Sequence, residues 1–480
     1  MSMTHKAIHA FKWSALGEIA SRAIGPLVFL VLARLLVPED FGVVAAATVV
    51  ISFSQVFSDA GLAKALIQRH DRVEESANVV FWLNLVIGLV IVTFLFFGAH
   101  FIADFFHDER IALVVQVLSL QILLAAFSSV HTALLQKDLN FKPLFWVRLV
   151  TTTAPGLASI PLAINGMGYW ALVFGTLLGQ MAQSAALWMF SPWRPHGRLD
   201  RNLATELVAF GKWAMLSGLI GWFYGWMDAI VVGHYLGPHD MGIYRTGNTF
   251  VTMIFGLIFS PLLPVLYSAF SRMRHDLSKV AESLLLVVKG IAMVAFPISA
   301  GLIALRAPIE QFVFRDEWGG IGMVIAILAL VQGFSWLVGS NGEAYRGLGK
   351  PHIETWAMAL SLTAYFIGYV FSVHYGLLVF LLSRLAMVFI GLLGQFVVSK
   401  FVFHLRMKDF VLAGHKSIII SFLMLSSIHA FASPSGDNAF NLICAVVVGL
   451  FFYAGLIGLV ERDYIARLKT ILRNDSTMSK

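Results

Sequence analysis

The sequence predicts an all-α integral membrane protein of about fourteen transmembrane helices. They form two parallel six-helix repeats followed by two additional C-terminal helices. Three observations carry that prediction: an apolar composition, a series of helix-length apolar runs, and a turn that returns 200 residues after its first appearance. The 480 residues are 58% hydrophobic and only 13% charged, with a mean hydropathy of +0.80. A soluble domain carries about 25% charge. The apolar excess is spread along the chain and is not gathered in one anchor. The first run lacks a small-residue cleavage site and is read as a retained span. Cys444 is the one cysteine. It sits in an apolar run and is read as inert packing.

A spanning helix needs about 20 mostly apolar residues. That ruler marks fourteen stretches: 13–36, 41–63, 79–103, 111–136, 144–166, 168–190, 212–236, 241–268, 281–305, 318–341, 353–376, 377–400, 412–432 and 438–460. Basic residues orient them, because cytoplasmic loops collect Lys and Arg. With the N-terminus in the cytoplasm, 23 basic residues fall inside, from Lys6 and Lys12 through loop residues such as Arg69, Arg198 and Lys350 to the tail. Only Arg110, Arg306 and Arg315 fall outside. Both termini are therefore expected to be cytoplasmic. The net charge of +7 is mostly this bias. It points to anionic membrane lipids and gives no support for nucleic acid.

The returning turn is LVPEDFG at 36–42 and LGPHDMG at 236–242. An ungapped offset of 200 from Lys12 to Gly42 leaves nine identities in 31 positions. They are the pairs 12/212, 13/213, 16/216, 25/225, 31/231, 36/236, 38/238, 40/240 and 42/242. Shared apolar residues do not produce Lys-Trp at one end and Pro-x-Asp-x-Gly at the other. Each period holds six spans, an even number, so both copies enter the membrane in the same direction. A second echo is Lys142-Pro143 and Lys350-Pro351. The expected divisions are 1–200, 201–405, and 406–480 with two more helices and a cytoplasmic tail. In each turn Pro38 or Pro238 starts the bend, the Asp caps the next helix and the Gly relieves crowding.

No phosphate-binding G-x-x-x-x-G-K motif, zinc motif or paired cysteines occur, so no cofactor or metal is called for. The longest loops are too short to fold into a catalytic domain. A transporter is expected, and not an enzyme.

The run from Phe11 to Asp71, beginning FKWSALGEIASRAIGPLVFL, resembles the start of the polysaccharide transport family of the MOP flippase superfamily. LLQKDLNFKP at 134–143 and MDAIVVGHYLGPHDMGIYRTGN at 227–248 are similar to later signatures of that family. The family includes Wzx- and WzxC-type lipid-linked oligosaccharide flippases. The resemblance implies export of an undecaprenyl-diphosphate-linked sugar unit across a bacterial inner membrane. A glycan polymerase and export machinery are then candidate partners. The rival on the same fold is a cation-coupled exporter of drugs or other small molecules, which favours acids in its cavity.

Charges inside spans cost about 2.5–3.5 kcal/mol at the bilayer centre and mark candidate sites. Arg22 lies near mid-depth of the first span, with Glu18 one turn below. Either the two form a self-neutralising pair, or Arg22 is a cavity cation for diphosphate that Glu18 tunes. The second repeat has Gly218 and Trp222 at these positions. Lys289 and Arg384 also fall within spans with no opposite charge within four residues, and are expected either to line the cavity or to snorkel. Asp228 is the lone deep acid, expected to pair with a cation on another helix or to titrate. Arg34, Arg148, Arg245 and Lys416 are near span ends and are expected to snorkel. Asp59 and Glu343 are expected at the cytoplasmic rim, solvated or capping. Trp222, Phe223, Tyr224 and Trp226 are expected to pack helices or anchor in the interfacial belt, with sugar stacking inside a cavity as the alternative.

Overall fold

The chain in this computed structural model is described at residues 3–59, 61–197, 200–431, 439–464 and 466. The basic residues of the tail beyond 466, Arg198, and the side chains of Lys6, Lys12, Leu16, Asp59, Lys212 and Trp213 lie outside the described residues. Helices account for nearly all of what is described, and no strand occurs among the described residues. The chain divides into two compact units, Met1–Thr246 and Gly247–Lys480.

The first unit holds α1 (Met3–Leu35), α2 (Pro38–Asp59), the short α3 (Leu62–Gln68), α4 (Val73–Phe106), α5 (Arg110–Lys137), α6 (Phe141–Ile164), α7 (Tyr169–Phe190) and most of α8 (Arg201–Phe259). Phe94, Phe97 and Phe101 on α4 are 79%, 80% and 78% exposed. An apolar stripe of that kind, with the spacing of one helix face, is compatible only with lipid as the solvent. Helices in lipid gain little from apolar burial and associate through small residues that let backbones approach. The α6–α7 contact follows that rule. A Cβ on Gly175 would fall 1.7 Å from Ser159 Oγ, and one on Gly179 would fall 2.6 Å from Pro155 Cγ. These two glycines, four residues apart, put α7 directly against α6.

The second unit begins inside α8 and continues with α9 (Leu262–Arg272), α10 (Leu277–Ala304), α11 (Arg306–Phe312), α12 (Ile321–Gly347), α13 (Pro351–Val373), α14 (Leu377–Phe403), α15 (Met407–Phe431) and α16 (Ala439–Val460). Its main core joins Leu284, Val288 and Phe296 of α10 to Tyr345 of α12 and Phe403 of α14. The additional C-terminal pair packs on α10 through Ile420, Met424, Ile428, Tyr453 and Ile457 around Ala300.

Ten helices among the described residues are long and apolar enough to cross a membrane: α2 continued by α3, α4 to α6, α8, α10 and α12 to α15. The expected break between the seventh and eighth spans, 212–236 and 241–268, is found: α8 is two helices joined at Gly237, whose backbone is not helical (φ 82°, ψ −178°). Only glycine holds that backbone without strain. The eighth span stops early, at Phe259, and resumes as α9 after Pro261. Proline lacks the N–H needed to continue the helix across that point.

The compact boundary at Thr246 lies beyond the expected division at 200/201, and within the first unit the early part of α8 packs on α2. Trp222 donates from Nε1 to Ser52 Oγ of α2 at 2.9 Å, and its ring lies 4.7 Å from that of Phe53. The two copies of the turn also meet. A Cβ on Gly42 would fall 1.8 Å from the Pro238 carbonyl oxygen, and a Cβ on Gly242 would fall 1.8 Å from that of Pro38. Glu39 and His239, equivalent by the 200-residue offset, touch at 2.6 Å. Equivalent residues meet when a local two-fold axis passes between them, so the arithmetic repeat is also a geometric one. Asp40 departs from its expected role of capping only the following helix. Its Oδ2 accepts from Val37 N–H at 3.3 Å, while Oδ1 accepts from Tyr169 N–H at 2.8 Å and caps α7.

Candidate functional site

A charge in mid-span is tolerated where protein or water replaces lipid around it. In α1 the spacing of four residues sets Glu18 and Arg22 on one face, one above the other. Arg22 Nε donates to Glu18 Oε1 at 2.9 Å. A third residue joins them from α6. Arg148 places a guanidinium nitrogen 2.5 Å from Glu18 Oε2, and its Nε donates to Ser21 Oγ at 3.0 Å. Ser21 Oγ lies 3.2 Å from Thr152 Oγ1, one turn beyond Arg148 on α6. α1 and α6 are thus tied by one polar cluster.

The charge balance decides what this cluster can do. Among the described residues one carboxylate faces two guanidiniums, a net positive balance. It is not sealed: the side chains of Arg22, Glu18 and Arg148 are 22%, 40% and 45% exposed. A structural ion pair in a span is expected to be neutral and enclosed. An open cluster with surplus cation suits an anionic ligand, and guanidinium forks match phosphate oxygens. Arg148, expected to snorkel, reaches Glu18 instead. Nothing local in the sequence pairs it with α1; the only signal was a cation in a span with no neighbouring acid.

The other candidates are elsewhere. Lys289 of α10 has a partner 172 residues on: its Nζ lies 2.5 Å from Glu461 Oε2 and 5.0 Å from the Tyr464 ring centroid. Glu461 is only 4% exposed and also has Lys416 Nζ at 3.7 Å. The expectation of Lys289 as a cavity cation gives way to a tie between α10 and the residues that follow α16. Lys416 likewise meets protein and does not snorkel. Arg384 is half-buried on α14, in the second unit. Asp228, 6% exposed, accepts a 2.6 Å hydrogen bond from Tyr244 Oη. The phenol comes from beyond the Gly237 break, and the Arg245 guanidinium is within electrostatic reach of the same carboxylate. Arg245, expected to snorkel, stacks with its guanidinium carbon 3.8 Å from the Trp226 ring centroid, the geometry of a cation–π contact. Glu343 is buried and paired with Arg346 at 2.9 Å, so it is neither solvated nor a cap.

Residues 31–322, more than half of the chain, match the model of a family described as polysaccharide biosynthesis protein. Over 473 residues the chain is 27% identical to the succinoglycan biosynthesis transport protein ExoT of Rhizobium meliloti (strain 1021), covering 96% of this chain and 94% of that one. It is 24% identical over 338 residues to the lipopolysaccharide biosynthesis protein WzxC of Escherichia coli (strain K12), covering 69% and 68%. Among solved structures, the lipid II flippase MurJ in an inward closed conformation aligns with a TM-score of 0.79 at 16% identity, over 95% of this chain and 100% of that one. The structural likeness establishes the fold; the family match establishes the kinship. The resemblance carried by 11–71, 134–143 and 227–248 is borne out, and the chain belongs to the polysaccharide biosynthesis protein family.

Proposed function

We propose that the protein is a flippase. It carries an undecaprenyl-diphosphate-linked oligosaccharide from the cytoplasmic to the periplasmic face of a bacterial inner membrane by alternating access. The observation that carries this reading is the open cluster of Arg22 and Arg148 on the single carboxylate of Glu18. A diphosphate bearing sugars does not cross about 30 Å of hydrocarbon unaided. A cation in mid-span offsets that cost, and Glu18 gives the reading its release step. When the site is empty the carboxylate holds both guanidiniums; a diphosphate displaces it by competing for the same N–H groups, and Glu18 reclaims them when the ligand leaves.

In this reading the repeats 1–200 and 201–405 are the moving halves, with 406–480 adding two helices and a cytoplasmic tail. Both termini are cytoplasmic, and a glycan polymerase and export machinery take over the product. The names of the relatives, which concern polysaccharide transport and biosynthesis, support it. The rival, a cation-coupled small-molecule exporter, needs an acid that is open to its path and available to a cation. Asp228 is buried and holds the Tyr244 phenol, and the more exposed Glu18 is occupied by two guanidiniums.

The test is glycan export by variants inserted at normal level. Arg22→Ala abolishes or severely reduces export. Arg22→Lys retains part of it, because a point charge attracts phosphate without the fork. The double variant Glu18→Gln with Arg22→Gln stays inactive. Recovery of export in that double variant would show a pair that only neutralises itself, and would remove Arg22 from the site.

A further inference from the structure

Beside the cationic cluster the first unit has a cleft of about 340 Å³ between α1, α5, α6 and α7. Arg148 belongs to both: it lines the cleft while its guanidinium reaches Glu18 and Ser21. One wall of the cleft is aromatic. Trp13 and Phe145 lie there with ring centroids 5.2 Å apart at 59°, and Lys142 Nζ stands 5.8 Å from the Trp13 ring. The lining also includes the polar, uncharged Thr132, Gln136 and Gln183. Among the described residues, neither the Gln136 nor the Gln183 side-chain amide hydrogen-bonds to any protein group. Gln183 is half-buried in α7 and Gln136 is exposed on α5, so both amides are available to a ligand in the cleft. No carboxylate lines this cleft, and the nearby Glu18 is held by two guanidiniums.

Aromatic rings in one cleft with two unbonded amides are the chemistry of carbohydrate recognition. The axial C–H face of a pyranose lies on a ring, and its hydroxyls exchange hydrogen bonds with amides that serve as donor and acceptor together. The volume lies at the small end of ligand sites, so it suits a short saccharide and not a whole repeat unit. The geometry points to a saccharide subsite: the cleft lined by Trp13, Phe145, Gln136 and Gln183 holds the sugar linked directly to the diphosphate, while Arg148 and Arg22 hold the diphosphate. This rests on the flippase reading above. It assigns the choice of glycan to the first unit. The cationic edge formed by Lys142 and Arg148 admits a neutral or acidic sugar and disfavours a cationic amino sugar.

The test measures binding to the purified full-length protein in nanodiscs with two probes, bare undecaprenyl diphosphate and undecaprenyl diphosphate bearing one hexose. The wild type binds the hexose-bearing probe more tightly. Trp13→Leu and, separately, Gln183→Leu reduce that preference by about three- to tenfold, the scale of removing one or two polar or stacking interactions with the sugar. Neither changes affinity for the bare probe, whereas Arg22→Ala weakens both probes alike. Gln183→Leu guards against a Trp13 variant that fails to fold. Equal wild-type affinity for the two probes overturns the saccharide subsite and leaves the flippase reading standing. Equal loss for both probes in the Trp13 and Gln183 variants also overturns it, as does displacement of the hexose preference by phosphatidylglycerol, which would mark a phospholipid groove. Failure of the wild type to bind either probe overturns the flippase reading, and this inference with it.

Discussion

Replacing Gly42 by alanine tests the contact between the two copies of the turn. The new Cβ would fall 1.8 Å from the Pro238 carbonyl oxygen and 2.6 Å from its carbon. Both are backbone atoms, so no side-chain rotation relieves the clash. Reaching even the 3.0 Å limit of real Cβ contacts requires one turn to retreat by roughly 1.2 Å from the other. Overpacking of this kind costs about 1–3 kcal/mol, and about 2 kcal/mol changes an equilibrium roughly 30-fold. Gly242→Ala strikes the Pro38 carbonyl at the same 1.8 Å and is expected to match it. Because both clashes wedge the same contact, the double variant loses less than the sum of the singles. The assay is labelling of a cysteine placed at Leu36, which is 5% exposed, by a water-soluble maleimide in detergent, with Cys444 changed to serine. Labelling is slow in the parent and about tenfold faster or more in Gly42→Ala, as the opened equilibrium requires. Gly98→Ala, where a Cβ meets nothing within 4 Å, serves as the control and leaves the rate unchanged. Unchanged labelling and thermal stability in Gly42→Ala would refute the packed turn and the local two-fold axis with it.

Other consequences follow from the same geometry. Reporters fused after Asp40, Asp240 or Gly376 are expected to read periplasmic, and those after Arg198, Lys279 or Arg473 cytoplasmic; a periplasmic C-terminus would break the parity of the repeats. Lys289→Met is expected to destabilise the protein by about 2–3 kcal/mol by leaving the buried Glu461 carboxylate with Lys416 alone. Lys289→Met combined with Glu461→Leu then recovers much of that loss in thermal unfolding, because the buried charge is gone. Glu18→Gln leaves both guanidiniums without their carboxylate, so a tighter grip on undecaprenyl diphosphate and a slower turnover are expected; weaker binding would contradict the role given to Glu18.

Local relations were legible in the sequence. The Glu18–Arg22 pair follows from helical spacing, and the repeat follows from an offset that needs no gap. The helical turn at INGMG is likewise local, with Gly166 and Gly168 at φ of 76° and 55°. Relations between distant segments were not legible. Arg148 meets α1 across more than a hundred residues, and Glu461 closes on Lys289 from beyond the last helix. A lone charge in a span announces that a partner exists without naming it. Asp40 shows the same limit, since its second hydrogen bond caps a helix 129 residues away. The break in α8 at Gly237 was legible too, because the Gly-Pro of the turn is a local signal for where one span ends and the next begins.

The central claim is that the protein moves a lipid-linked oligosaccharide across a bilayer. Its most direct test takes the polyprenyl-linked intermediate that builds up in cells lacking the protein, labels its glycan with a fluorophore, and reconstitutes it into vesicles with and without the purified protein. A membrane-impermeant quencher then reads the outer leaflet. In protein-free vesicles only the outer-leaflet share is quenched. With the wild-type protein the quenched fraction approaches the whole, and with Arg22→Ala it stays at the protein-free plateau. Absence of any such intermediate in the deficient cells, or a wild-type plateau no higher than that of empty vesicles, would contradict the account.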